Sequence, residues 1–164
     1  MKGRIMFREL ERKQKQISQE ECIAILQAEK RGVLSVHGTE GYPYGMPMNH
    51  YYHPEDGCLY FHCGRQNSHR MDAIRADDRV SFCTFDEGWC AEGAWALHIR
   101  SVIVFGRMEV IDDRARIEEI SAHLSRKFTQ DENYIRREIE AFAHETLLLR
   151  LIPDHISGKQ VTES

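Results

Sequence analysis

No CxxC pair occurs in this chain, and its five cysteines, Cys22, Cys58, Cys63, Cys83 and Cys90, are odd in number. That argues against a cysteine zinc site and against a closed disulfide framework, and it leaves the thiols as small, reduced core residues. No apolar run approaches the ~20 residues that span a bilayer. The leader MKGRIMFRELERKQKQ is basic but lacks the apolar stretch of a secretion signal, which predicts a cytoplasmic protein. Positive charge is not in excess either. Twenty-two Lys and Arg face 26 Asp and Glu, for a net charge of −4, so there is no electrostatic footing on nucleic acid or an anionic membrane. A GxGxxG turn for a bound dinucleotide is missing, as are repeats, low-complexity tracts and interdomain linkers. What remains, 164 residues with 41% apolar side chains, is enough for one core.

The pattern along that core is mixed. Residues 1–17 are charged and irregular and read as an arm, and residues 18–164 read as one domain. Ser18 stands three residues before Glu21 in capping-box spacing, ahead of the stripe Cys22, Ile23 and Leu26, which predicts a helix over 19–29. VLSVHG, YGMPMNHYY and CLYFHC read as strands of an antiparallel meander, with TEGYP and PEDG as the turns between them. A helix over 68–75, the strand VSFCTFD, a loop over 87–97 holding both tryptophans, and the strand IRSVIVFGRMEVI follow, with Gly106 as a bend. Ile117, Ile120, Leu124 and Phe128 have helical spacing behind Asp112 or Asp113 as cap. YIRREIEAFAHE continues as helix and TLLLRLI closes as the sixth strand. The fold class is α+β: a small antiparallel six-stranded barrel flanked by helices, closure removing the exposed edges.

Positive charge does collect in one place. HCGRQNSHRMDAIR runs from a strand end through Gly64 into a helix start, bringing Arg65, Asn67, Ser68, His69 and Arg70 together. An anion at a helix start meets unpaired N–H groups and the positive end of the dipole, and arginine adds charge in fork geometry. Cations there oppose the dipole, which points to a phosphate. The plain alternative is Asn67 or Ser68 as a cap, with the arginines paired to Asp72 or Asp77. In YPYGMPMNHYY, alternation puts Met46, Met48, His50 and Tyr52 on one face and Pro47, Asn49 and Tyr51 on the other. Two prolines mark this as an edge strand with free backbone groups, which a planar heterocycle could use. His50 and His53 point to opposite faces of a regular strand and nothing completes a ligand set, so no metal is expected. His62, at a strand end, reads first as a structural histidine hydrogen-bonded to backbone, and its closeness to the phosphate turn raises the functional reading without putting it ahead.

Taken in order, ISQEECIAIL, RGVLSVHG, GYPYGMPMNHYY, LYFHCGRQNSHRMDAIR, RVSFCTF, RSVIVFGRMEVIDD and a closing strand ending in SGK resemble the FMN-binding split-barrel superfamily of pyridoxamine 5′-phosphate oxidase, above all its nitroimidazole-resistance branch. The resemblance covers about residues 5 to 160. It implies a split barrel that binds FMN at a homodimer interface, with the phosphate held by Gly64, Arg65, Ser68, His69 and Arg70. It places the flavin ring along Met46, Pro47, Met48, Asn49 and His50, with His62 and Cys63 as its floor. Arg100 and Ser101 would reach in from the partner subunit, and Trp89 or Trp95 would roof the pocket. The implied activity is reduction of a small aromatic or nitroheterocyclic acceptor, with His62 as the catalytic candidate. A non-catalytic flavin- or haem-binding protein is the alternative. Pyridoxamine 5′-phosphate oxidase activity itself is disfavoured, because the ending PDHISGKQVTES shows no Arg- and His-bearing segment for the substrate phosphate.

Overall fold

The computed structural model describes residues 7–163; the first six residues of the expected arm, and Ser164, lie outside the described residues. From the N-terminus, α1 spans Gln19–Ala28, β1 Arg31–His37, β2 Pro43–Asn49, β3 Tyr51–His53 and β4 Cys58–Gly64. There follow α2 (His69–Ala76), β5 (Arg79–Phe85), β6 (Leu97–Ile111), α3 (Arg114–Arg126), α4 (Glu132–Phe142) and β7 (Thr146–Glu163). Single 3₁₀ turns sit at Lys13–Lys15 and Ala143–Glu145.

The helix starts follow their capping residues. Ser18 accepts from the Glu21 N–H at 3.1 Å while the Glu21 carboxylate accepts from the Ser18 N–H at 2.8 Å, a complete capping box. Asp113, not Asp112, caps α3 through the Arg116 N–H at 2.8 Å.

All strands pair antiparallel in one sheet, ordered β2-β1-β5-β6-β7-β4-β3. The two edges, β2 and β3, are separated in the chain by one residue, His50. Consecutive Cα atoms lie ~3.8 Å apart, so the sheet must curl until its edges meet. The expected six strands are therefore seven, because the single strand foreseen over 44–52 bends at His50 and changes partner from β1 to β4. Alternation survives the bend: Met46, Met48, His50 and Tyr52 are all buried.

Strand β7 is far longer than TLLLRLI, running on through Pro153 and Gly158. Pro153 is tolerated because the β6–β7 register shifts there. Gly106 opposes Pro153 and Phe105 opposes His155, leaving Asp154 as the extra residue of a bulge. A Cβ on Gly106 would lie 2.1 Å from the Ile152 carbonyl oxygen, so the two strands close up at this bend only over a glycine.

The barrel interior holds Leu34, Phe61, Phe82, Val102, Val104 and Leu149, closed by Cys22, Ile25 and Leu26 of α1 and Met71 and Ile74 of α2. Ile17, at the end of the expected arm, joins this core and donates its N–H to Gly158 at 3.1 Å. A second, smaller core forms outside the barrel, where Ile117 and Ile120 of α3 cover Cys58, Tyr60 and Leu148. Lys127 ties the layers together, its ammonium donating to the carbonyls of Glu29 and, at 3.1 Å, of His50. Burial pushes its pKa down to about 8.

Candidate functional site

Strand β4 ends at Gly64, and the chain turns through Arg65–Asn67 into α2, whose N-cap is Ser68; the hydroxyl accepts from the Met71 N–H at 3.4 Å. A pocket of about 470 Å³ opens here, lined by Gly64, Arg65, Gln66, Asn67, Ser68, Arg70, His144 and Glu145. The cationic residues around it have different commitments. The Arg65 guanidinium is engaged in a bidentate pair with Asp112 and donates from Nε to the His144 carbonyl at 2.7 Å. Its partner is thus neither Asp72 nor Asp77, which instead pair with Arg75 and Arg79. The His69 ring stacks on Tyr44 with centroids 4.5 Å apart and meets the Glu40 carboxylate at 2.9 Å, so it is turned towards the β1–β2 hairpin.

Arg70 is different. Among the described residues no carboxylate lies within ion-pair distance of it. One Nη donates to the Met48 sulfur at 3.2 Å, and its buried Nε has no partner. A partly buried guanidinium with an unmet donor, at a helix N-terminus and on a pocket wall, has the charge and the hydrogen-bonding capacity to receive an anion.

Strand β2 passes beside this residue. It is an edge, paired only with β1, so one row of its backbone groups has no sheet partner, and Pro47 and Asn49 are exposed on it. Met46 and Met48 point into the core. The His50 ring is buried, bonds the Leu26 carbonyl through Nε2 at 2.8 Å and packs against Phe82. Of the β2 residues assigned to a ligand, only backbone groups and the side chains of Pro47 and Asn49 are therefore on offer.

His62 and Cys63 do not share a floor, because neighbouring residues of β4 face opposite ways. Cys63 is inside the barrel, with its thiol 3.7 Å from the Leu147 carbonyl. His62 faces α3 and bonds the Ser121 hydroxyl through Nε2 at 2.9 Å, and burial pushes its imidazole pKa down.

Arg100 and Ser101 are distant from all of this. Ser101 pairs with Lys159 and Gly64 with Thr146, thirteen positions apart along β7, or roughly 40 Å of strand. Arg100 is held by Asp86 through its N–H at 2.8 Å and its Nε at 2.7 Å. Trp89, stacked on His98 at 4.2 Å, and the exposed Trp95 lie at this same end. The chain thus carries two separate groups of the expected residues.

Between those groups, the outer surface of β2-β1-β5-β6-β7 is not covered by α3 or α4. One line across it reads Pro47, Val33, Cys83, Ile103, Ser157 and the next Gly45, Ser35, Ser81, Phe105, His155. Val33, Ile103 and Phe105, together with Phe85 nearby, are exposed. This apolar face was not anticipated from sequence. Its signal was present in the β-branched and aromatic residues at every second position of RSVIVFG, on the side away from the core.

The profile of the family described as pyridoxamine 5′-phosphate oxidase matches residues 18–160. No curated protein matches the chain. Among solved structures, the chain is similar to a proposed 5-nitroimidazole antibiotic resistance protein of Bacteroides thetaiotaomicron, at 18% identity over 90% of this chain and 87% of that one, TM-score 0.73. It is also similar to a conserved hypothetical protein of Mycobacterium tuberculosis, at 17% identity over 92% and 90%, TM-score 0.77. A third is an FAD-binding protein of Mesorhizobium loti, at 22% identity over 90% and 97%, TM-score 0.64. These likenesses speak for the fold; the profile match, over most of the chain and beginning at the Ser18 cap, places the chain in the pyridoxamine 5′-phosphate oxidase family, within the split-barrel superfamily that its sequence resembles.

Proposed function

We propose that the protein binds FMN between two copies of its chain and acts as an oxidoreductase on a small aromatic or nitroheterocyclic acceptor. The observation that carries this reading is Arg70: a guanidinium with no acid partner among the described residues and a buried, unpaired Nε on the wall of the α2 pocket. A phosphate monoester fits it, supplying several acceptor oxygens and compensating charge. Arg70, the Ser68 hydroxyl and the backbone from Gly64 would hold that phosphate, with Arg65 as the outer wall and His69 offering only its backbone N–H. The free edge of β2 from Met46 to Asn49, with the Asn49 side chain, would meet the polar rim of the ring, while the His50 backbone is already bonded to the Lys30 carbonyl and the Lys127 ammonium. Arg100 and Ser101, too distant along β7 to serve their own protomer, would come from the second copy, which would sit on the apolar face that α3 and α4 leave open and on which Phe7 stacks over Phe105 and His155. When bound, the flavin supplies the redox chemistry; the chain fixes it, shields it from water and restricts what reaches it. His62 enters this reading through its own cavity, which adjoins the phosphate pocket across Ala143–Glu145.

The visible spectrum tests the proposal. The purified protein is expected to show flavin bands that bleach with NADH or NADPH and recover on adding a 5-nitroimidazole without oxygen. A colourless protein that ignores added FMN, or one with a Soret band instead, removes it. The dimer has its own test. Ile103→Asp puts a charge in the middle of the apolar face, where burial without a partner is costly. It is expected to elute as a monomer and to lose flavin on dilution; an unchanged elution volume removes that face from the proposal.

A further inference from the structure

Helix α4 is one-sided in sequence, yet Ile135 is its only fully buried residue. Its Tyr134, Glu138, Ile139 and Phe142 line a cavity of about 260 Å³ against α3 and the end of β4, room for a single ring. Tyr134 and Phe142 are half exposed there, so their rings are available as walls. The floor is the His62–Ser121 pair, joined at 2.9 Å, with Ser121 only 6% exposed. A neutral imidazole and a hydroxyl bring two hydrogens and three lone-pair positions to the pair, and one bond uses one of each. Hydrogen-bonding capacity is therefore left over for a guest. Glu138 stands at the wall with no cationic partner among the described residues. Burial keeps His62 uncharged, so the floor brings no positive charge to oppose it. Aromatic walls, a neutral polar floor and one unpaired carboxylate make a defined recognition problem.

We propose that this cavity binds a single-ring cationic compound of the arylalkylamine class, with the ring between Tyr134 and Phe142 and the ammonium at Glu138. Binding needs no flavin and does not rest on the proposed function. An anionic ring compound is excluded by the same carboxylate, so the cavity selects by charge rather than by shape.

The test uses the full-length protein as purified, with benzylamine, benzyl alcohol and benzoate as probes. Binding is followed by calorimetry and by the imidazole proton resonance of His62, assigned by its loss in His62→Gln. Benzylamine is expected to shift that resonance and to bind about tenfold more tightly than benzyl alcohol, with benzoate not binding. Glu138→Gln should bring benzylamine down to the level of benzyl alcohol and leave the alcohol unchanged, while Phe142→Ala weakens both. Benzylamine binding that leaves His62 unmoved, benzoate binding as well as benzylamine, or an unaltered Glu138→Gln profile each overturns the assignment. Flavin absorbance read in the same samples reports on the proposed function separately, so loss of one reading is distinguishable from loss of the other.

Discussion

Arg70→Ala is expected to lower the affinity of the protein for FMN by about a hundredfold. A charge-assisted hydrogen bond contributes about 1.5–3 kcal/mol, and each 1.4 kcal/mol is a factor of ten in affinity. Two features place the effect at the upper end. Among the described residues the guanidinium has no carboxylate to fall back on, and its Nε is already out of water without a partner, so its desolvation cost has been met before a ligand arrives. The contrast with Arg65 sharpens the prediction. That side chain is committed to Asp112 and the His144 carbonyl, and a phosphate would have to share it with a carboxylate. Arg65→Ala is thus expected to change FMN affinity only a few-fold. Arg70→Lys, which keeps the charge without the fork, should fall between. Titration of flavin-free protein with FMN and with riboflavin, followed by flavin fluorescence, checks all three. The preference for FMN over riboflavin measures the phosphate contact directly and should collapse in Arg70→Ala alone. If it persists, the phosphate is held elsewhere.

The difference between the two arginines was not legible in the sequence, where they stand five residues apart in one basic turn. What was legible is local. The Ser18–Glu21 box, the Ser68 cap, the Gly106 bend and the alternation of Met46, Met48, His50 and Tyr52 are each decided within a few residues, and each is present. The segment TLLLRLI covers only the start of β7, because Pro153 and Gly158 are strand breakers in isolation. Only the partner strand reveals that Pro153 sits at a bulge and that Gly158 is small because Cys22 and Ile17 press on it. Asp112 beside Arg65 and Ser121 beside His62 are 47 and 59 residues away in the chain. No period or spacing announces such pairs. The fold class survived these misses because the barrel follows from hydrophobic pattern, which is redundant across strands. The site did not survive intact, because its character depends on single long-range partners that decide which charges are already spent.

His50 shows the same dependence in a quantity measurable without any ligand. Its Nε2 faces the Leu26 carbonyl, which can only accept, so Nε2 carries the proton and Nδ1 is a bare, buried lone pair. Protonation would put an unpaired N–H and a full charge beside Phe82, with the Lys127 ammonium bonded to the His50 carbonyl. Burial first, and Lys127 second, push the pKa from 6.5 down to about 3. The folded state therefore refuses a proton that the unfolded chain accepts. Stability is fully present above pH 6.5 and is lost as the pH falls towards 3, by about 2 kcal/mol at pH 5 and about 4 kcal/mol at pH 3. Most of the interval from pH 6.5 to 5 lies above the titration of ordinary carboxylates, so it isolates histidine; His62, also held neutral by burial, adds to the slope with the same sign. His50→Leu removes the larger share. It loses the bond to Leu26, worth about 1 kcal/mol, and is less stable at pH 7.5, but its stability should fall much less on acidification, so that the two proteins cross near pH 5.5. Urea unfolding at half-unit steps from pH 7.5 to 5 reads this directly. Parallel curves for the two proteins would mean that His50 takes up its proton inside the folded barrel, and that the bend joining the sheet edges is wetter than its packing implies.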